Sequence, residues 1–154
     1  MRAAIAWSYD LLDPAEQRFL ACCAIFTGGF TLEAAERVWG GCGDPQVSAL
    51  DGLTALVDRS LVRPLDRDSG GTRYLMLETI REFALEQLVA CGEEEAVRDP
   101  HAAHYLAQTA AMFAALRQVV IPAMEWEVER LYPEHDNLRI ALAWLLERDP
   151  LAAA

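Results

Sequence analysis

Short amphipathic stretches alternate with proline or glycine breaks along the first part of the chain. Their apolar residues recur at the three- and four-residue spacing of helices, which predicts four helices before residue 60. The predicted ranges are 4–12, 14–26, 32–39 and 46–59. The second helix has the clearest start, because Asp13 can cap it, Pro14 suits its first position and Glu16 can complete a capping box.

After residue 60 the period of the pattern falls to about two, which is typical of strands. Residues 61–66 and 72–77 are predicted as two strands of a hairpin. Gly70 and Gly71 lie between them and can adopt the positive φ angles that a tight turn requires. Pro64 suits a strand at the edge of a sheet, where its missing N–H breaks no hydrogen bond of the ladder.

A helical pattern returns at Leu77 and lasts to Ala90, and Gly92 can serve as its C-cap. Four helices, a hairpin and a further helix in this order predict a winged-helix domain. We assign this domain to residues 1–92.

The remaining residues, 93–154, are predicted to be helical again. One helix is expected over 93–116, a second pattern begins near Ile121, and Pro133 starts the last helix. Helices of this length stack as hairpins in helical repeats, so the segment is predicted to begin an α-solenoid. The predicted fold class is therefore mainly α: a winged-helix domain with a small β-hairpin, followed by an α-solenoid-like segment.

Charge argues against the usual role of a winged helix. The 154 residues have a formal net charge of −11, and DNA binding needs clustered positive charge that neutralises phosphates. The helix before the wing carries Asp51 and Asp58 against Arg59 alone. Two aspartates partly offset the arginines of the wing: Arg63, Arg67 and Arg73 against Asp66 and Asp68. From these charges we predict no direct contact with nucleic acid.

No residue pattern indicates an active site. A phosphate-binding P-loop requires a lysine, and the chain contains none. His101 and His104 can share a helix face, but with His135 they form no recognisable metal signature, so surface or interhelical hydrogen-bonding roles are favoured. We expect no catalytic, cofactor-binding or metal-binding residue and no enzymatic activity in this chain.

Three further features bear on the cellular setting. The four cysteines lack metal-ligand spacing and are predicted to be reduced thiols. No apolar run is long enough to span a bilayer and no signal-peptide pattern opens the chain, which predicts a cytoplasmic protein without membrane contact. Both ends of the chain are abrupt, which favours a piece of a longer protein, although a naturally short chain stays open.

Several blocks of the sequence, in order, resemble the region that follows the nucleotide-binding core in signal-transduction ATPases with numerous domains. The blocks are "AIAWSYDLLDPAEQRFL", "FTGGFTLEAAERV", "LVDRSLV", "RYLMLETIREFALEQL" and "EHDNLRIALAWLLER". Within that class they are similar to bacterial transcriptional regulators of the LuxR-type and antibiotic-regulatory kinds, which have an NB-ARC-like ATPase domain.

The resemblance implies a partner that this chain lacks. In such proteins an upstream ATPase domain binds ATP or ADP with Mg²⁺, and the winged helix packs on it as part of a switch. The helical region that follows grows into tetratricopeptide-like repeats that contact protein partners. DNA binding, where the family has it, belongs to a separate domain at one terminus.

One motif departs from the pattern of related eukaryotic resistance and apoptosis ATPases. Their Met-His-Asp-type motif places a histidine near the β-phosphate of ADP, and the corresponding residues here are Met76, Leu77 and Glu78. Leu77 cannot hydrogen-bond a phosphate, and Glu78 would repel it. We therefore expect Met76, Leu77, Glu78 and Arg81 to contact a neighbouring domain, with Arg81 either in an interdomain salt bridge or at a plain surface position.

Residues and resemblance together predict a non-catalytic regulatory fragment of a signal-transduction ATPase or transcriptional regulator. The fragment would relay the nucleotide state of the absent ATPase domain to a helical region that contacts protein partners. The alternative is a winged-helix DNA-binding repressor with a helical dimerisation tail. A small enzyme that uses the histidine pair is the third hypothesis.

Overall fold

A computed structural model describes residues 2–44, 47–67, 71–116 and 132–148. The helix predicted from Ile121 and the hairpin tip at 68–70 lie outside these residues. The elements in chain order are α1 (Arg2–Asp10), α2 (Pro14–Cys23), β1 (Phe30–Thr31), α3 (Leu32–Cys42), α4 (Ala49–Asp58), β2 (Val62–Arg67), β3 (Gly71–Met76), α5 (Glu78–Ala90), α6 (Glu94–Leu116), a 3-10 turn (Tyr132–Glu134) and α7 (His135–Arg148). The mainly helical fold with a small sheet is confirmed.

The start of α2 forms as predicted. The Asp13 carboxylate accepts a hydrogen bond of 2.8 Å from the Glu16 backbone N–H, and the Glu16 carboxylate accepts one of 2.9 Å from the Asp13 N–H. The helix ends at Cys23, earlier than the predicted Phe26, because the next residues tighten into a turn. That turn brings the Phe26 ring onto Phe30, with ring centroids 4.8 Å apart.

The hairpin belongs to a three-stranded antiparallel sheet of order β1-β3-β2. Strand β1 was not predicted, because two residues are too few to show a period of two. Strand β2 lies at the edge of the sheet, as we predicted from its proline, and Pro64 pairs there with Tyr74 of β3. The sheet therefore exposes one edge along β2.

The core of the winged helix forms where α2 crosses α4. Phe19 and Leu20 of α2 are fully buried with Leu53 and Leu56 of α4. Gly52 faces the Phe19 ring so closely that a Cβ atom there would lie 2.7 Å from Phe19 Cδ1. The glycine thus sets how closely the two helices approach.

Replacing Gly52 with alanine will lower the free energy of unfolding by about 1–3 kcal/mol, because overpacking costs more than the gain in helix propensity. The matched control is Gly40→Ala on α3, where an added Cβ meets no atom within 4 Å. That change will raise stability by about 0.5–1 kcal/mol. Urea denaturation of both variants measures the difference, and equal shifts would contradict the packing argument.

The helical segment packs directly on the winged helix. An added Cβ at Gly41 of α3 would lie 2.5 Å from Pro100 Cγ of α6, so these two helices touch closely. Helix α7 then packs on α6, where Trp144 Nε1 donates a hydrogen bond of 2.8 Å to Asp99. The boundary between residues 92 and 93 stays a prediction. None of the described helices combines the length and apolarity needed to cross a bilayer.

Candidate nucleic-acid interface

Helix α4 presents an uncovered face. Ser48 caps its start by accepting a hydrogen bond of 3.2 Å from the Leu50 N–H. Its buried side carries small and aliphatic residues, whereas four outward residues are exposed: Leu50, Asp51, Thr54 and Asp58. These positions lie on one side of the helix, since Leu50, Thr54 and Asp58 follow one another at about one turn and Asp51 precedes Thr54 by three residues. In a winged helix, this is the helix that is offered to DNA.

The turn between α3 and α4 is held by a tryptophan. Trp39 packs edge-on against Phe19, with ring centroids 5.3 Å apart, and its Nε1 donates a hydrogen bond of 2.8 Å to the Val47 carbonyl. The loop before α4 is thereby tied to the core. A helix, a tied turn and a second helix make the helix-turn-helix arrangement.

The edge strand β2 supplies an exposed cation close to α4 in sequence. Arg63 is exposed and has no salt-bridge partner among the described residues. Arg59, the C-cap of α4, keeps a 3.5 Å contact with Glu16 and is partly exposed. The candidate interface, defined as the outward face of α4 with Arg59 and Arg63, therefore carries two arginines beside Asp51 and Asp58.

A second arginine of the hairpin, on strand β3, is turned inward. Arg73 of β3 is 5% exposed and donates hydrogen bonds to the carbonyls of Gly28, Gly29 and Pro133, at 3.1, 2.8 and 2.8 Å. It also pairs with the Glu134 carboxylate. The charge argument counted Arg73 as an arginine of the wing surface. That was wrong, because its guanidinium is buried and hydrogen-bonded inside the protein.

Glu134 is the centre of a buried polar cluster, defined here as Arg73, Tyr105, Glu134 and Asn137. Tyr105 Oη and Asn137 Nδ2 donate hydrogen bonds to the Glu134 carboxylate at 2.9 and 3.0 Å. Burial opposes its ionisation, but the hydrogen bonds from Arg73 and Asn137 outweigh burial and hold the pKa of Glu134 below its usual value. Burial, together with the same carboxylate, raises the pKa of Tyr105. The cluster joins the wing strand β3 to α6 and α7.

Sequence reasoning did not find this cluster, although a signal was present. Glu134, Asn137 and Ala141 follow helical spacing, and all three are buried. Two polar residues on the buried stripe of a helix indicate a partner inside the protein, because a buried polar group must be hydrogen-bonded. The missing information was that Arg73, distant in sequence, is that partner.

The four residues predicted to contact a neighbouring domain lie at the junction of β3 and α5. Met76 ends β3 and is half-buried, whereas Leu77 is 58% exposed. Arg81 donates hydrogen bonds of 3.0 and 2.6 Å to the Glu78 carboxylate on its own helix, and these bonds lower the pKa of Glu78. Arg81 also reaches the Ala24 carbonyl at 3.4 Å. The predicted interdomain contact stays a prediction.

The histidines occupy different surroundings. His101 is buried against the rings of Phe26 and Tyr105, at centroid distances of 5.2 and 4.8 Å, and His135 is exposed. The His101 side chain has a hydrogen-bond interaction with Asn137 of α7, whereas its Nε2 atom has no hydrogen-bond partner among the described residues. Within the described ranges, no group of three or more His, Cys, Asp or Glu residues could hold a metal ion.

Comparison with known proteins identifies the arrangement. Residues 12–89 match the family described as "Winged helix-turn-helix domain". A "Putative HTH-type transcriptional regulator" of Mycobacterium tuberculosis (strain ATCC 25618 / H37Rv) is 42% identical over 154 residues, which is 100% of this chain but 17% of the relative. Its counterpart in Mycobacterium bovis matches this chain with the same identity and the same coverage. An "Uncharacterized protein" of M. tuberculosis is 35% identical over 98 residues, 62% of this chain and 24% of that protein.

The chain thus spans about a sixth of the length of the regulators that it matches. No solved structure matches the chain significantly. The matched family is a non-catalytic one, and the relatives named by function are transcriptional regulators, so no enzyme class is indicated.

These findings correct the prediction that the chain makes no direct contact with nucleic acid. Helix-turn-helix domains dock a helix in the major groove of DNA, so the family match points to DNA binding. The prediction rested on the net charge of the whole chain and on the aspartates of α4 and the wing, but net charge sums over all faces, whereas an interface uses only one. Much of the acidic charge lies elsewhere, for example at Glu93, Glu94 and Glu95 around the start of α6. The chain belongs to the winged helix-turn-helix domain family.

Proposed function

We propose that this chain is the winged-helix part of a longer transcriptional regulator and contacts DNA through the candidate interface. The observation that carries the proposal is the exposed outward face of α4, which follows a tied turn and precedes an exposed edge strand. The family match and the names of the regulators support it.

Each group at the interface has a chemical role in this proposal. Arg63 and Arg59 contact phosphates, because guanidinium groups bind phosphate oxygens with paired hydrogen bonds. Thr54 donates to a base edge or a phosphate, and Asp51 or Asp58 accepts from the amino group of cytosine. The two carboxylates also repel phosphates, so binding is expected to be modest in affinity and selective.

The test is an anisotropy titration of the chain with labelled duplexes at several salt concentrations. Arg63→Ala is expected to weaken binding about fivefold and to reduce the salt slope by about one. Arg2→Ala is the matched control, since Arg2 is an exposed arginine that pairs with Glu86 on a different surface. Absence of salt-sensitive binding, or equal losses in both variants, would overturn the proposal.

A second candidate function is the relay predicted from the resemblance. In this proposal Met76, Leu77, Glu78 and Arg81 contact an ATPase domain outside this chain, and ATP or ADP with Mg²⁺ binds only there. The exposure of Leu77 favours it, because a leucine that is 58% exposed at the junction of β3 and α5 can be covered by a partner.

Leu77→Asp in the full-length parent will abolish nucleotide-dependent protection of this junction from proteolysis, because the charge cannot be buried in an interface. Val89→Asp is the matched control, since Val89 is also 58% exposed and lies on α5 near its other end. Limited proteolysis with and without ATP or ADP measures the effect. Protection that survives Leu77→Asp would argue against the relay.

A further inference from the structure

Two cysteines that are distant in sequence meet between α2 and α3. Cys22 lies near the end of α2, and Cys42 is the last residue of α3. Their Sγ atoms are 3.3 Å apart and both thiols are reduced. The contact brings together, across 20 positions of sequence, the atoms that a disulfide would join.

The two thiols have opposite surroundings. Cys22 is 2% exposed, and its hydrogen bond to Cys42, together with burial, raises its pKa. Cys42 is only half-buried, and the hydrogen bond from Cys22 and the nearby Arg18 guanidinium lower its pKa. Arg18 is held in place by a hydrogen bond of 3.0 Å to the Cys42 carbonyl and one of 2.8 Å to Glu93. Cys42 is thus the accessible nucleophile, and Cys22 is the protonated partner behind it.

We propose that Cys22 and Cys42 form a redox pair that closes to a disulfide when Cys42 is oxidised by a hydroperoxide. The proposal rests on their contact and on the difference in their exposure. It is independent of the proposed contact with DNA, since it concerns the contact between α2 and α3 and not the outward face of α4.

The chemistry takes two balanced steps. The Cys42 thiolate attacks the peroxide, the O–O bond breaks, and Cys42 becomes a sulfenic acid while the leaving oxygen takes a proton and departs as water or an alcohol. The sulfur of Cys22 then attacks Cys42 sulfur, the S–O bond breaks, and the hydroxide that leaves takes the Cys22 proton to form water. Two thiols are oxidised, and one hydroperoxide is reduced.

The other cysteines provide controls. Cys23 is adjacent to Cys22 and equally buried, and Cys91 is exposed at the end of α5. A disulfide that depended only on proximity in sequence or on exposure would use one of these. The proposed pair is distinguished by contact between the sulfur atoms.

The experiment uses the chain with Cys91→Ser, which leaves three of its four cysteines. One equivalent of hydrogen peroxide is added under native conditions, and remaining thiols are alkylated and counted by mass spectrometry. The expected product is two hydrogen atoms lighter, keeps one alkylatable thiol, and regains all three on treatment with dithiothreitol. Its melting temperature is expected to rise by about 5 °C, because the bond closes a loop.

Cys23→Ala in the same background must still form the disulfide, whereas Cys22→Ala must leave Cys42 as a sulfenic acid that dimedone traps. If Cys22→Ala does not fold, Cys42→Ser at the half-buried position serves the same purpose and must form no disulfide. Glutathione in the same tube shows whether the peroxide is active. If glutathione is oxidised while all three protein thiols stay alkylatable, the proposal is overturned. A disulfide that needs Cys23 instead of Cys22 would overturn it equally.

Discussion

Replacing Glu134 with alanine will lower the free energy of unfolding by about 3–5 kcal/mol, because it leaves the Arg73 guanidinium buried and unpaired. Both side chains are less than a tenth exposed, and the carboxylate also accepts from Tyr105 and Asn137. Urea denaturation followed by circular dichroism measures the loss. The effect should be the largest of any single substitution in the buried polar cluster.

A double substitution separates the ion pair from simple packing. Arg73→Met with Glu134→Leu removes both charges and keeps apolar volume, so it should cost much less than Glu134→Ala alone. Glu86→Ala is the surface control, because the Arg2–Glu86 pair is exposed on both sides and should contribute about 0.5 kcal/mol or less. A double variant as unstable as the single one would show that the charge of Arg73 is not the cause.

The cluster also has a consequence for how the two parts of the chain communicate. Asn137 accepts a hydrogen bond of 2.7 Å from the Thr27 N–H and donates one of 3.0 Å to the Gly29 carbonyl, beside the carbonyl contacts of Arg73. Arg73 on the wing strand β3 and Asn137 on α7 therefore both hydrogen-bond to the same glycine turn. A shift of α7 changes the support of this turn, so the helical segment and the wing are mechanically linked.

Local chemistry made much of the winged helix predictable. The capping box at Asp13 and Glu16 and the edge position of Pro64 each depend on a few neighbouring residues, and the structure has both. The C-cap of α5 is Cys91 and not the predicted Gly92, which follows it with a positive φ of 70°. Helix α3 runs to Cys42, past the predicted end at Trp39, because Gly40 and Gly41 continue it instead of breaking it. The Gly41 contact with Pro100 of α6 gives a physical reason for that continuation.

The candidate site was harder to predict because it depends on which way side chains turn. Alternation along β3 does not reveal that Arg73 points inward, since its acceptors are carbonyls and a carboxylate that lie 44 to 61 positions away in sequence. Summing charge over the chain contributed to the wrong prediction about nucleic acid, whereas counting Arg73 as an exposed cation erred in the opposite direction, because it overstated the positive charge of the wing. Both errors come from treating charge as a property of composition.

Stability will fall as the pH drops from about 6.5 towards 4, because His101 accepts a proton when the chain unfolds but resists it in the fold. Burial lowers the pKa of His101 to about 4, from an ordinary value of 6.5. The unfolded chain therefore binds more protons between these limits, and the free energy of unfolding decreases by about 3 kcal/mol across them. Above pH 6.5 His101 is neutral in both the folded and the unfolded state, so the free energy of unfolding carries no penalty from this residue.

His101→Leu should flatten this dependence, because leucine fills the space beside Phe26 and Tyr105 without titrating. The charged groups around His101 are Arg98, His104 and Glu134, of which Glu134 also loses stabilising hydrogen bonds in acid. That carboxylate has a lowered pKa, so its contribution is lost at lower pH. Burial also lowers the pKa of His104, so the interval between pH 6.5 and 5 reports on both histidines, and His101→Leu isolates the share of His101. Urea denaturation across pH 4.5 to 8 gives the profile, with His135→Gln at the exposed position as the matched control. A profile that is unchanged in His101→Leu but altered in His135→Gln would place the proton uptake at the surface and contradict the buried-histidine explanation.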